Sequence, residues 1–219
     1  MSINNKAWNC HRNEMWKNNF VKEFSENILP LYMKHEETFD EKRIHGCLHI
    51  SRSLIFSEFM ARYYYDSGAD VDFDAIRYAV AFHDAGRQDN GIDFWEKDSA
   101  DLCFSYMLQK HSEKYSRYCG NLIIKELDNY DINKQIVTDA DVLDIMRPVC
   151  GHGGIFGFLP ERLSFMKDDS QIRKDLIHDA WKLIKYTEEN QHIFNGKKTL
   201  YRILETLDQY EYKLLYELK

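Results

Sequence analysis

Two short pieces of this chain carry residues that could do chemistry together. The first is Ile44-His45-Gly46-Cys47-Leu48-His49-Ile50-Ser51-Arg52, and the second is His83-Asp84, which begins 34 residues after His49 (83 minus 49). Any imidazole or carboxylate that a fold buries must find a partner there. Three imidazoles and a carboxylate gathered at helix ends suit a metal ion or a phosphate ester. Arg52 and Arg87 flank the two pieces, and a guanidinium binds phosphate through two parallel hydrogen bonds. A third piece, Cys150-Gly-His-Gly-Gly-Ile-Phe-Gly157, surrounds His152 with glycines. Such a loop brings backbone N–H groups close to phosphate oxygens. Two histidines suffice for acid–base work near neutral pH, one neutral to attack and one protonated to donate. A neighbouring carboxylate would set the tautomer.

The elements that must position these residues read as helices. Trp16, Phe20, Phe24 and Ile28 recur at helical spacing over 13–27. That helix should stop near Pro30, where a second short one can begin. The charged run 36–43 leads into the His45 loop, where Gly46 permits a tight turn. A helix from His49 to about Tyr65 turns Leu48, Ile55, Phe59 and Tyr63 inward, and Gly68 ends it. Asp72 is placed to cap the next helix. In it Ile76, Ala79, Val80 and His83 form one inward stripe, and Gly86 suits its C-terminal stop. The turn-rich loop 87–93 follows. Phe94-Trp95 opens a helix to about Lys110, with Glu96, Asp98 and Asp101 in its first turns. Further helices are expected over 116–127, 132–146, 170–189 and 199–218. With no alternating strand, internal repeat or Pro/Ser-rich linker, the expectation is one all-α domain over 1–219.

In chain order come His49, His83-Asp84, and Asp141 within Thr138-Asp-Ala-Asp-Val-Leu-Asp-Ile-Met146. This order resembles the HD superfamily of phosphohydrolases, whose metal ligands are a His, a His-Asp pair and a later Asp. The resemblance implies a compact HD-domain-like helical bundle with His49, His83, Asp84 and Asp141 as ligands of Mn, Fe, Mg, Zn or Ni. Imidazole and carboxylate donors suit such ions. The flanks resemble a narrower family. His45-Gly-x-x-His49-x-x-Arg52, His83-Asp-Ala-Gly-Arg-Gln, Gly91-Ile-Asp-Phe-Trp95-Glu-Lys-Asp-Ser-Ala100, Asp139-Ala-Asp-Val-Leu-Asp-Ile-Met-Arg147 and Gly151-His-Gly-Gly154 look like the phosphodiesterase domain of SidE-type bacterial effectors. That likeness implies processing of ADP-ribosylated or phosphoribosyl-linked ubiquitin at a phosphodiester. It makes His45 the nucleophile and His152 the acid, with Glu96 or Asp98 as the supporting carboxylate, and it requires no metal. Two alternatives stand beside it: a metal-dependent HD phosphohydrolase acting on a nucleotide, and a non-catalytic nucleotide- or ADP-ribose-binding module.

Bulk properties narrow the classes. At 219 residues, 44% hydrophobic and 14% aromatic, the chain can bury a sizeable core. A net charge of −7 with no basic block argues against a general nucleic-acid binder. Cys10, Cys47, Cys103, Cys119 and Cys150 include no Cys-x-x-Cys and read as reduced thiols. The chain shows no membrane-spanning run and no signal-peptide character. Those features suit the cytoplasm, or export to a host cell without a cleavable leader. The expected partner is an ADP-ribosylated protein or a nucleotide. The plainer alternative for the inner four residues is a buried polar network tying helices together. His178-Asp179, His11, His35, His111 and His192 read as structural or surface residues. Tyr63, Tyr64 and Tyr65 read as core and rim, and Trp95 could stack on an adenine.

Overall fold

The computed structural model describes residues 20–41, 44–91, 94–125 and 131–145. Every regular element among them is helical. His152 with its glycine-rich loop, the helices expected over 170–189 and 199–218, and His11, His178, Asp179, His192, Cys10 and Cys150 lie outside the described residues.

Helix α1 (Phe20–Glu23) runs through a π-helical turn, Phe24–Ile28, into α2 (Leu29–Thr38). Pro30 has no N–H to give a regular i→i−4 bond, and the wider turn carries the chain past it, with Leu29 N–H reaching the Phe24 carbonyl. The helix therefore continues where a stop was expected. Next come α3 (Cys47–Asp66), α4 (Phe73–Phe82), α5 (Glu96–Met107), α6 (Glu113–Asn121) and α7 (Ile132–Ile145). Helix α3 lies along both α7 and α4, and α5 pairs with α6 against α4. No helix among the described residues is long and apolar enough to cross a membrane.

Helix α4 is the centre of this arrangement. Asp72 caps it, its side chain accepting from Ala75 N–H at 2.9 Å. Every residue from Ala75 to Phe82 is buried, as a helix apolar on all sides requires. The one strong charge inside it, Arg77, is held by Glu58 at 2.5 Å and Asp74 at 2.9 Å. The first half of α3 is likewise buried on every side, from His49 to Ser57, rather than along one stripe. Two of its small hydroxyls bond back to their own helix, Ser51 to the Cys47 carbonyl and Ser57 to that of Leu54. The expected helix over 116–127 instead runs Glu113–Asn121, because Ser112 caps it by accepting from Tyr115 N–H.

Gly86 is required for a different reason than helix termination. Its φ is not positive, but a Cβ there would lie 2.5 Å from Ser99 N and 2.7 Å from the Asp98 carbonyl carbon. Glycine lets the 83–86 turn press directly against the first turn of α5, where Gly86 N–H donates to Ser99 Oγ at 3.0 Å. Gly86→Ala should therefore lower the unfolding free energy by about 1–3 kcal/mol, read from urea titration. An unchanged midpoint would show that the two elements separate without cost.

His35, expected at the surface, is buried with its ring against Tyr32 and Phe39. Its Nδ1 has no hydrogen-bond partner among the described residues. Burial pushes its pKa below the ordinary histidine value. The unfolded chain then binds a proton more readily than the folded one, so this ring favours folding above about pH 6.5 and opposes it as pH falls below that value. Melting temperatures measured from pH 7 to pH 5 should fall less steeply for His35→Phe than for the wild type. Parallel profiles would rule the effect out.

Candidate active site

The site begins with two carboxylates on α2 and its end. Asp40, fully buried, accepts from Ile44 N–H and His45 N–H at 2.9 Å each, and from Asn90 Nδ2 at 3.2 Å. Glu36 accepts from Cys47 N–H at 2.8 Å, a favourable place for negative charge at the start of α3. Gly46 is the residue over which that carboxylate folds, and any Cβ there would overlap the Glu36 side chain. The loop carrying His45 is thus fixed from below by Glu36 and Asp40, neither of which the motif had singled out.

Three elements then deliver the inner cluster. His49 and Arg52 lie one turn apart on α3, His83 caps the C-terminus of α4, and Asp141 and Asp144 lie one turn apart on α7. His49 Nδ1 pairs with Asp144 Oδ2 at 2.8 Å. Arg52 grips the same carboxylate, Nε to Oδ1 at 2.5 Å and Nη2 to Oδ2 at 3.2 Å. His83 Nδ1 bonds to the Val80 carbonyl at 2.7 Å. A carbonyl and a carboxylate can only accept, so both Nδ1 atoms carry their protons. The two Nε2 atoms are then turned towards each other at 3.0 Å. In their neutral forms these lone pairs repel, and either a proton or a cation relieves them.

Carboxylates surround that contact. Asp84 Oδ2 stands 3.4 Å from His49 Nε2 and 3.6 Å from His83 Nε2. Asp141 Oδ1 stands 3.4 and 3.5 Å from the same atoms. Burial alone would depress the His49 pKa, but its bonds to Asp141, Asp144 and Asp84 hold it well above the usual value. His83 is raised in the same way by Asp84 and Asp141. Burial would raise the Asp84 and Asp141 carboxyls, but the imidazoles outweigh it and hold both well below the usual carboxylate range. The cluster is built for negative carboxylates around a centre of positive charge.

His45 stands at the mouth, its side chain 14% exposed against 1% for His49. Its Nδ1 donates to Asp84 Oδ2 at 2.9 Å, which leaves the Nε2 lone pair directed away from that bond. Asp84 is fixed from its other oxygen by Arg87 Nε at 2.9 Å. Arg52 and Arg87 are thus both buried against cluster carboxylates. Of the two supporting carboxylates foreseen, Glu96 is linked to Asp141 through Lys125. Glu96 Oε2 accepts from Lys125 N–H at 2.9 Å, and Lys125 Nζ lies 3.5 Å from Glu96 Oε1 and 3.4 Å from Asp141 Oδ2. Asp98 is exposed on α5. Asp144 and Lys125 were missed in the sequence. Asp144 had one available signal, its i, i+3 spacing from Asp141, which puts both on one face of α7.

Fold and site together define, among the described residues, a helical domain with a buried His–Asp cluster and one partly exposed imidazole beside it. Residues 12–211 match the SidE phosphodiesterase (PDE) domain. The chain belongs to that family and is a phosphodiesterase. No curated protein and no solved structure matches it.

Proposed function

We propose that this phosphodiesterase acts at the phosphodiester of an ADP-ribose-type group carried by a modified protein, with ubiquitin the first candidate. The observation that carries the reading is the 2.9 Å bond from His45 Nδ1 to Asp84. It prepares the His45 Nε2 lone pair to attack phosphorus. The N–P bond forms as the P–O bond to the leaving group breaks, and His152 gives its proton to the departing oxygen. Water or a serine hydroxyl then attacks phosphorus, returns a proton to His152 and frees His45. Glu96 supports the site through Lys125 and Asp141. Such a substrate places the reaction in a cytosol, its own or that of a host cell after export.

A second reading is favoured by the donor geometry. Four ligands at roughly 2.0–2.1 Å from one tetrahedral ion stand about 3.3–3.4 Å apart. His49 Nε2, His83 Nε2 and Asp141 Oδ1 stand 3.0 to 3.5 Å from one another, and Asp84 Oδ2 lies 3.4 and 3.6 Å from the two imidazole nitrogens. Both imidazoles have their Nδ1 held by an acceptor, the arrangement that orients metal-binding histidines. His49, His83 and Asp141, with Asp84 beside them, support a reading in which they would hold a divalent ion as in HD phosphohydrolases, and the ion would polarise a phosphoryl oxygen. Turnover of ADP-ribosylated ubiquitin with and without EDTA separates the readings. Turnover that survives EDTA supports the first. Turnover abolished by EDTA and restored by manganese overturns it in favour of the second.

A further inference from the structure

A phosphodiesterase needs a cation where its substrate's phosphate arrives. Arg52 and Arg87 fit that role by type, but both are buried, with side chains 3% exposed, Arg52 on Asp144 and Arg87 on Asp84. Each holds a carboxylate that in turn orients a histidine. Lys125 is differently placed. It follows α6, and Glu96 on α5 pins its backbone. Its side chain is 40% exposed, yet Nζ lies 3.4 Å from Asp141 Oδ2 at the edge of the cluster and 3.5 Å from Glu96 Oε1. These are ion-pair lengths, longer than the roughly 2.7–2.9 Å of tight charge-assisted bonds. An ammonium is a compact point charge on a flexible stem, able to keep both carboxylates near while meeting a phosphate oxygen from solvent.

We propose that Lys125 is the substrate-phosphate-binding cation of this site, receiving the phosphodiester or diphosphate oxygens as they approach the cluster. The proposal rests on the phosphodiesterase reading but not on the identity of the modified protein. It also gives the Glu96–Lys125 backbone bond a purpose, since that bond fixes where the ammonium can reach. Arg52 and Arg87 become positioning residues.

The test uses inorganic pyrophosphate as the probe, with binding measured by calorimetry on the full chain. Lys125→Met should weaken pyrophosphate binding about tenfold or more. Where turnover is measured, it should raise KM by a similar factor and change kcat far less. Lys125→Arg should restore binding to within about threefold, and Lys114→Met, on the exposed face of α6, should bind as the wild type does. If Lys125 only neutralises Asp141 and Glu96, Lys125→Met will lower the melting temperature and kcat while pyrophosphate affinity stays unchanged, which overturns the proposal. Wild type that fails to bind pyrophosphate overturns it as well. Loss of pyrophosphate binding in Lys125→Met supports the proposal even if ADP-ribosylated ubiquitin is not a substrate. Normal turnover with unaltered affinity in Lys125→Met rejects the proposal and leaves the substrate reading intact.

Discussion

His45→Ala is expected to lower turnover by roughly 10⁴-fold or more while leaving the fold intact. The size follows from removing a nucleophile whose formation of a covalent intermediate divides the reaction into two steps. The intact fold follows from position. His45 is the most exposed imidazole of the group and contributes one bond to Asp84. Asp84 keeps Arg87 and His49 when that ring is gone. The space left behind has the shape of an imidazole, so added imidazole should restore part of the activity. Asp84→Asn offers the companion measurement. An amide in that place can present N–H where His45 Nδ1–H needs an acceptor, which favours the other tautomer and turns the lone pair inward. Turnover should fall there too, without rescue by imidazole. Near-normal turnover of His45→Ala would move the chemistry to His49, His83, Asp84 and Asp141.

The largest stability effect is expected at Asp144, a residue with no direct part in the reaction. Its carboxylate is fully buried between His49 and Arg52. Its bonds to Arg52 and His49 tie α3 to α7 across 92 and 95 residues of sequence. Asp144→Ala leaves a buried guanidinium without this counter-charge, and breaking such a pair from one side costs about 3–5 kcal/mol. Urea titration should show that loss. The double variant Arg52→Met with Asp144→Leu removes both charges and should be more stable than Asp144→Ala alone, because neighbours in one ion pair are not additive. If the double variant were the sum of the two single ones, the pair would not be coupled as drawn.

Much of the fold was legible because helix signals are local. Asp72 before an apolar run, the spacing of Ile76, Ala79 and Val80, and the scarcity of proline all act within a few residues. Errors came where a local signal met a distant surface. Gly86 resembled a helix stop, but its lack of a Cβ serves contact with α5. His35 resembled a polar surface residue, but it is buried with its ring against Tyr32 and Phe39. The helix did not stop at Pro30, because the π-helical turn before it, Phe24–Ile28, carries the chain past the missing N–H.

The site divides the same way. That His49, His83, Asp84 and Asp141 come together was readable from residue type and order. Which carboxylate each charge pairs with was not readable. Arg52 and Arg87 have the chemistry for a phosphate, and only the crossing of α3 with α7 and the turn after α4 commit them to Asp144 and Asp84. Glu96 and Asp98 differ by two positions, and the helical rotation between them sends one towards Lys125 and the other to solvent. Sequence by itself determined an all-helical phosphodiesterase, because helix periodicity and motif order are properties of neighbours along the chain. The tertiary structure decided how each charge is paired, because a partner is chosen by distance in space between residues that the chain keeps far apart.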